Sequence, residues 1–133
     1  MITLVLPYPP SVNHLWRRVG NKTLLSVAAR RYRKAVLDGV MSARQPGQAL
    51  AGGTTGWYLP LVGRLAVSLT LTPPDHRRRD VDNCLKAVLD ALTQAGVWRD
   101  DAQIDRVLIE RAAPCPEAPK LTAVIAVLDA PDE

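Results

Sequence analysis

Residues 64–95 read RLAVSLTLTPPDHRRRDVDNCLKAVLDALTQA, and this stretch decides the fold. Residues 64–71 alternate apolar side chains with polar or small ones, which is the period of a β-strand with one buried face. From residue 81 onward, apolar side chains recur every three or four residues, which is the period of an amphipathic helix. The sequence therefore predicts a strand over residues 64–71 and a helix over about 81–95, separated by Pro73 and Pro74.

The flanking segments complete a mixed α/β pattern. Further strands are predicted in three places: residues 2–6, 104–111 and 121–128. Ser26 is a good helix N-cap, and the spacing behind it predicts a helix through about Arg44. Residues 11–23 are predicted to form a polar loop, and residues 45–63 a Gly/Pro-rich connector that is mobile or functional. The order β-α-β-α-β-β predicts an α/β (α+β) fold in one small domain over residues 1–133, with two main helices packed on a mixed sheet.

The composition narrows the class of protein. No apolar run reaches the roughly 20 residues that span a bilayer, and residues 1–7 lack the basic and long apolar regions of a secretion signal. The two cysteines, Cys84 and Cys115, are too few for a disulfide framework or a zinc site, and Cys84 falls on the apolar side of the second helix. We therefore expect a cytoplasmic protein with no membrane partner.

The net charge of +4 hides a strong asymmetry along the chain. Residues 1–79 hold 12 Lys/Arg and 2 Asp/Glu, a net charge of +10, whereas residues 80–133 hold 5 Lys/Arg and 11 Asp/Glu, a net charge of −6. A basic half beside an acidic half suggests a surface for a polyanion next to a site for cations. The alternative is solubilising charge spread over the whole surface.

Two aspartates one residue apart, Asp80 and Asp82, stand at the predicted start of the second helix. Carboxylate oxygens suit Mg²⁺, which takes about six oxygen ligands and usually keeps several waters. Lys86 follows Asp82 by four residues and therefore reaches the same site. Carboxylates that hold a divalent ion, beside a lysine that stabilises the phosphate or the leaving oxygen, are typical of phosphodiester hydrolysis. The pattern points to an enzyme that cuts a nucleic-acid backbone.

A third metal ligand must come from another segment, and Asp100 and Asp101 are the candidates. A helix of about 15 residues rises about 22 Å, and residues 96–101 cover about 20 Å when extended. A return path along the helix from Gly96 would just bring Asp101 back to the helix start. The site therefore requires an antiparallel return segment directly after the helix.

Each of these residues also has an ordinary structural role open to it. Asp82 could be a helix cap worth roughly 1 kcal/mol, Lys86 could be an i,i+4 salt-bridge partner, and the Asp100-Asp101 pair could belong to a turn. These roles do not explain two apposed carboxylates, because like charges close together are costly unless cations are near.

Cationic residues precede the carboxylates directly. Arg77, Arg78 and Arg79 directly precede Asp80. The arginine fork matches phosphate oxygens in pairs, so the triplet predicts a phosphate clamp beside the metal site, and the alternative is a solvated loop. Further candidates for phosphate contact lie in the first loop and on the first helix, where a charged face is often only the solvated side. They are Arg17, Arg18, Lys22, Arg30 and Lys34.

Several longer motifs surround these residues. They are Asp75-His76-Arg77-Arg78-Arg79-Asp80-Val81-Asp82-Asn83, then Lys86, Asp90-Ala91-Leu92-Thr93, Ala95-Gly96, Trp98 and Asp100-Asp101-Ala102-Gln103, and near the N-terminus Leu6-Pro7-Tyr8-Pro9-Pro10-Ser11-Val12-Asn13. Together they resemble the RusA family of Holliday junction resolvases, which are small endonucleases. With the region around Tyr32 and Arg33, the resemblance covers most of the chain except residues 45–63, where the connector is longer than in the family.

The resemblance implies a homodimeric, Mg²⁺-dependent enzyme, with Mn²⁺ as an alternative ion, that nicks opposite strands of a four-way DNA junction symmetrically and leaves 5′-phosphate ends. It assigns roles to six residues: the acidic triad to Asp80, Asp82 and Asp101, the essential lysine to Lys86, and DNA contact near the site to Arg79 and Asn83. The chain has no phenylalanine, so any phenylalanine wedge used by relatives is replaced or absent here.

We therefore hypothesise a junction-resolving endodeoxyribonuclease that acts in DNA recombination and repair. The nearest alternative is a metal-dependent nuclease for other branched or flapped DNA. A second alternative is a non-catalytic DNA-binding module, which the complete Asp/Asp/Lys/Asp set disfavours. A phosphohydrolase of free nucleotides is disfavoured because the chain has no GxxxxGK phosphate cradle, and no nucleotide cofactor is expected.

Overall fold

The computed structural model describes residues 1–10, 16–20, 22–43 and 60–128, with only the backbone described at 16–19 and 22–25. In chain order the elements are β1 (Ile2–Pro7), β2 (Trp16–Val19), β3 (Lys22–Leu25), α1 (Val27–Ala43), β4 (Leu65–Thr72), α2 (Leu85–Gln94), β5 (Ile104–Arg111) and β6 (Lys120–Val127). Short 3-10 turns precede α2 at Val81–Cys84 and β5 at Asp101–Gln103. In the described ranges, neither helix is long and apolar enough to cross a bilayer.

Four strands form the main sheet in the order β1-β6-β4-β5. β4 pairs with β5 in parallel, whereas β6 is antiparallel to both β1 and β4. A parallel pair needs a crossover connection, and α2 lies in the connection between β4 and β5. Two helices on a mixed four-stranded sheet confirm the predicted α+β class.

One face of this sheet carries the core, because alternate residues of β1, β4 and β6 are buried. α1 adds Tyr32, Val36 and Val40 to the same apolar cluster, and α2 adds Val88 and Leu92. The helices pack on the sheet because their apolar side chains recur at helical spacing and form one stripe each.

The ends of the helices follow from local sequence. The backbone N–H of Ala29 donates to Ser26 Oγ at 3.1 Å, which confirms Ser26 as the N-cap of α1. Beyond α2, Gly96 adopts a φ of +80°, and the N–H of Val97 donates to the Leu92 carbonyl at 3.1 Å. This left-handed residue ends the helix and turns the chain back, as the sequence predicts.

One prediction about a connecting segment is wrong in part. Within the predicted polar loop, β2 and β3 pair as an antiparallel hairpin, because Gly20 takes a φ of +60° and allows a tight turn between two short β-prone runs. The connector expected at residues 45–63 is anchored at its end, where Leu61 is buried and its N–H donates to the Val97 carbonyl at 2.8 Å. Residues 44–59 lie outside the described ranges.

Candidate active site

The start of the second helix presents two carboxylates that do not cap it. Asp80 is extended, and its side chain forms no capping hydrogen bond, although its carbonyl accepts from the N–H of Asn83 at 3.1 Å. Asp82 lies in the 3-10 turn that leads into α2. Both side chains are exposed. The ordinary role of helix cap therefore does not account for either carboxylate.

The return segment after α2 is fixed by a buried indole. Trp98 is completely buried, and its Nε1–H donates to Thr93 Oγ1 at 2.6 Å. Its backbone forms a parallel bridge with Leu61. Residue 98 is therefore held against both α2 and the end of the preceding connector, which sets the path of the chain into Asp100 and Asp101.

The two neighbouring aspartates of this segment have different environments. Asp100 caps the 3-10 turn before β5, since its side chain accepts from the N–H of Ala102 at 2.9 Å. Asp101 is exposed, and within the described residues its carboxyl group has no hydrogen bond or ion pair. The turn interpretation therefore holds for Asp100, and Asp101 is left as the residue able to bind a ligand.

Gln103 fixes this turn from the other side. Its amide Nε2 donates to the carbonyls of Leu61 and Gly63, both at 3.0 Å. Its Oε1 accepts from the backbone N–H of Arg99 at 3.0 Å and of Asp100 at 3.2 Å. One side chain thus joins the connector to the turn that carries Asp101.

An open groove of about 340 Å³ runs beside α2, and carboxylates from both segments lie along it. Its walls are formed by Asp82, Leu85, Lys86, Leu89, Asp90 and Asp101. The return segment therefore brings Asp101 to the same groove as Asp82 and Lys86. Half-buried leucines line the groove between the charged groups.

Asp80 lies beside a second, smaller cavity of about 140 Å³, on the side of Tyr8 and Arg79. Asn83 and Cys84 complete its wall together with Pro9. Asp80 and Asp82 therefore line two different cavities, Asp80 directly before the 3-10 turn and Asp82 within it. Asn83 lines the same cavity as Asp80. In a regular α-helix, the spacing of Asn83 would place it on the same face as Asp82 and Lys86.

The three predicted metal ligands are chemically suited to a hard cation, but their carboxyl groups do not form a close cluster. Asp80, Asp82 and Asp101 offer carboxylate oxygens, which are the ligands that Mg²⁺ and Mn²⁺ prefer. In the described part of the chain, no three His, Cys, Asp or Glu side chains cluster closely enough to hold a metal ion. The side chains of the three aspartates would therefore have to rotate to bring their oxygens onto one ion. They are exposed, so no packing prevents that rotation.

Lys86 projects into the groove with an acidic neighbour. Its Nζ lies 3.6 Å from Asp90 Oδ2, and its side chain is 63% exposed. The i,i+4 salt-bridge role is therefore real, but an exposed pair of this kind contributes only a few tenths of a kcal/mol. The ammonium group thus stays available to an anion in the groove.

The arginine triplet divides into one anchored and two outward-facing residues. Arg79 Nη1 lies 2.7 Å from Asp75 Oδ1, and its guanidinium stands 5.9 Å from the centre of the Tyr8 ring. The hydrogen bond from Arg79, together with the N–H of Arg77, lowers the pKa of the Asp75 carboxyl. Arg77 and Arg78 are exposed. Arg79 therefore shapes the smaller cavity, and the other two face solvent.

The other predicted DNA contacts are carried by α1 and by the hairpin of β2 and β3. Arg30 and Lys34 are exposed on α1. Arg17 and Arg18 fall on β2 and Lys22 on β3, but their side chains lie outside the described residues. These residues stay predictions.

Some residues of the site are not singled out by sequence reasoning. Gln103 could have been identified, because Asp100-x-x-Gln103 has capping-box spacing, and the structure contains that box. Arg111 donates from Nη2 to the Arg79 carbonyl, a contact across 32 residues that no local pattern predicts. Burial raises the pKa of the Cys84 thiol, so this cysteine is a core residue and a poor nucleophile.

Comparison with known proteins matches most of the chain. Residues 7–123 match the family model described as "Endodeoxyribonuclease RusA". A crossover junction endodeoxyribonuclease of Enterobacteria phage HK97 is 36% identical over 112 residues, 84% of this chain and 83% of the phage protein. The protein of the same name from Escherichia coli K12 is 36% identical over 102 residues, 77% and 75% of the two chains. That of Enterobacteria phage 82 is 36% identical over 101 residues, 76% and 74%.

Proposed function

The chain belongs to the RusA family of endodeoxyribonucleases, and from that membership we propose that it resolves four-way DNA junctions by metal-dependent hydrolysis in recombination and repair. The observation that carries the proposal is the groove beside α2, where Asp82, Lys86 and Asp101 meet from two separate segments. Phosphodiester hydrolysis needs anionic ligands for a cation and a cation for the phosphate. The groove offers both.

Asp80, Asp82 and Asp101 would hold Mg²⁺ or Mn²⁺. Bound there, the ion supplies Lewis acidity and charge neutralisation at the scissile phosphate. The buried Trp98 and the capping box of Asp100 and Gln103 hold the backbone on either side of Asp101, so that metal binding would have to order only its side chain.

Lys86 would act on the phosphate itself. Its ammonium is tethered by one turn of α2 to the Asp82 side of the groove, and Asp90 holds it at 3.6 Å without burying it. A cation placed where negative charge develops stabilises the transition state. Lys86 would therefore neutralise the phosphoryl oxygens or the leaving oxygen.

The substrate would be gripped through its backbone. Arg77 and Arg78 are exposed and precede Asp80 in the chain, and Arg30 and Lys34 would add positive charge on the exposed side of α1. Phosphate contacts of this kind hold the DNA without reading its sequence and weaken steeply with added salt. Asn83, which lines the smaller cavity with Asp80, would contact the DNA next to the cleaved linkage.

A four-way junction is two-fold symmetric, and its resolution requires a nick in each of two strands. A homodimer with two copies of the groove meets that requirement, because an isologous dimer presents the same site twice about one axis. We propose this assembly, with paired symmetric nicks that leave 5′-phosphate and 3′-hydroxyl ends.

A cleavage assay on a synthetic four-way junction tests the function. The native protein with Mg²⁺ is expected to give paired nicks, and chelation is expected to abolish them. Asp82→Asn should abolish cleavage while junction binding persists, whereas Asp38→Asn, the same change on the exposed side of α1, should cut normally. Equal cleavage of a flap or a plain duplex would show that the enzyme does not select four-way junctions. Full cleavage by Asp82→Asn would show that Asp82 is not part of the active site.

A further inference from the structure

The outer edge of β5 is open in the described part of the chain. β5 pairs only with β4 and stands at the end of the sheet. Its apolar residues Val107 and Leu108 are 39% and 51% exposed. An edge with unpaired backbone groups and exposed apolar side chains is a template for another strand. This edge therefore needs a partner or a means of excluding one.

The sequence of β5 is complementary to itself when it is reversed. Around Leu108 it reads Asp105-Arg106-Val107-Leu108-Ile109-Glu110-Arg111. Each residue that precedes Leu108 has a counterpart at the same distance after it, with opposite charge or the same apolar character. Two copies of β5 paired antiparallel about Leu108 would therefore set Arg106 opposite Glu110 twice, and Val107 opposite Ile109 twice.

Neighbouring registers lose this match. Antiparallel pairing about Val107 sets Arg106 opposite Leu108, and pairing about Ile109 sets Glu110 opposite Leu108. Pairing about the midpoint of residues 107 and 108 sets two acids, Asp105 and Glu110, opposite each other. Pairing about the midpoint of residues 108 and 109 sets Arg106 opposite Arg111. Like charges directly opposite each other destabilise a strand pair, and opposite charges stabilise it. The charge pattern thus selects one register.

The facing of the side chains agrees with that register. Ser68 of β4 is the partner of Leu108, and Ala66 and Thr70 are the partners of Arg106 and Glu110. These three β5 residues consequently share the sheet face opposite the core, and directly opposed residues in a pair lie on the same face. Within the described residues neither Arg106 nor Glu110 has an ion-pair partner. Asp105, by contrast, is already paired with Arg64, and Arg111 with the Arg79 carbonyl.

We propose that the β5 edge is the homodimer surface, with a second copy of this chain paired antiparallel about Leu108. The inference rests on the homodimer of the proposed function and supplies its surface. The two sheets would join into one of eight strands, with the two-fold axis at Leu108. The two Ile104 residues would lie about 26 Å apart along the strands, at about 3.3 Å for each of eight residues, and each directly follows the turn that carries Asp101.

Charge reversal tests the surface without DNA or metal. Sedimentation should give the native chain twice its protomer mass of 14.5 kDa. Arg106→Glu and Glu110→Arg, each alone, should be largely monomeric, because each sets like charges opposite each other twice. The double variant Arg106→Glu/Glu110→Arg should be dimeric again. An equimolar mixture of the two single variants should form a heterodimer, since every introduced charge then faces an opposite one.

A cross-link tests the register. Cα atoms directly opposite in a strand pair are close enough for a disulfide, so Leu108→Cys in a Cys115→Ser background should form a covalent dimer on mild oxidation. Val5→Cys on the opposite edge strand β1 is the control and should not, although Val5 is more exposed than Leu108, at 64% against 51%. A native monomer, or a dimer that survives both charge reversals and cross-links through residue 5, would overturn the proposal. Neither result bears on the aspartates, which the cleavage assay tests separately.

Discussion

The segments on the two sides of α2 both carry aspartates of the site, but they are held by different forces. Before α2, the chain at Arg79 is held by charge: an ion pair with Asp75 at 2.7 Å and the Arg111 side chain on its carbonyl. After α2, the chain is held by the buried Trp98 and by the neutral hydrogen bonds of Gln103. Salt and pH should therefore loosen the first segment, whereas only the loss of packing should loosen the second.

The largest effect is expected inside the second segment, between two adjacent aspartates. Asp101→Asn should lower the rate of junction cleavage by about 1000-fold, since a lost metal ligand removes several kcal/mol of charge stabilisation. Asp100→Asn should stay within a few-fold of native, because asparagine caps as well as aspartate. Single-turnover kinetics at saturating enzyme measure both rates. Equal losses in the two variants would mean that Asp101 has no special role.

The packing of the second segment gives the next prediction. Trp98→Ala should lower the free energy of unfolding by about 3–5 kcal/mol, the usual cost of removing a large buried aromatic side chain. Arg79→Ala should lower it by no more than about 1 kcal/mol, because its ion pair is near the surface. Urea denaturation gives both values. A larger loss in Arg79→Ala than in Trp98→Ala would reverse the assignment of forces.

A substitution at Gln103 tests whether its hydrogen bonds position Asp101 in addition to stabilising the fold. Gln103→Ala leaves the carbonyls of Leu61 and Gly63 without their side-chain donor, at an expected cost of about 1–2 kcal/mol. The variant should also need a higher Mn²⁺ concentration for half-maximal cleavage, because Asp101 is less well placed. Gln94→Ala, on the exposed end of α2, is the control. An unchanged metal requirement in Gln103→Ala would show that the turn holds itself.

The smallest effect concerns pH and the first segment. The folded-state pKa of Asp75 is lowered, first by the hydrogen bond from Arg79. The carboxylate therefore adds stability above its unfolded pKa, and this contribution is lost as the pH falls through the lowered value. Melting temperatures of native protein and Asp75→Asn should converge in that acidic range and differ slightly at neutral pH. A constant difference down to the lowest pH would contradict the role of the ion pair.

The regular elements could be predicted because their apolar period is local. The alternation along β4 placed that strand within one residue at each end. The stripe of α2 placed the end of the helix within one residue but its start four residues too early, because residues 81–84 form a 3-10 turn. The hairpin of β2 and β3 was not predicted, because the only sequence feature that indicates it is a single glycine between two short polar segments. A tight turn at Gly20 depends on a single positive φ, which composition does not reveal.

The site was predictable where the sequence spacing is short and less so where distant segments meet. The sequence indicated Asp82 and Lys86 together and offered Asp101 through a chain-length argument. It did not separate Asp80 from Asp82, because the 3-10 turn at Val81–Cys84 rotates them differently from an α-helix. The contact of Arg111 with residue 79 depends on tertiary packing and has no local signature.

The three aspartates are proposed to share one divalent ion, and titration with Mn²⁺ followed by electron paramagnetic resonance measures that binding. The native protein is expected to bind Mn²⁺, and Asp80→Asn, Asp82→Asn and Asp101→Asn are each expected to weaken binding at least about tenfold, or 1.4 kcal/mol. Asp38→Asn and Asp100→Asn should bind as the native protein does. Undiminished Mn²⁺ affinity in Asp101→Asn would show that the segments before and after α2 do not share one ion.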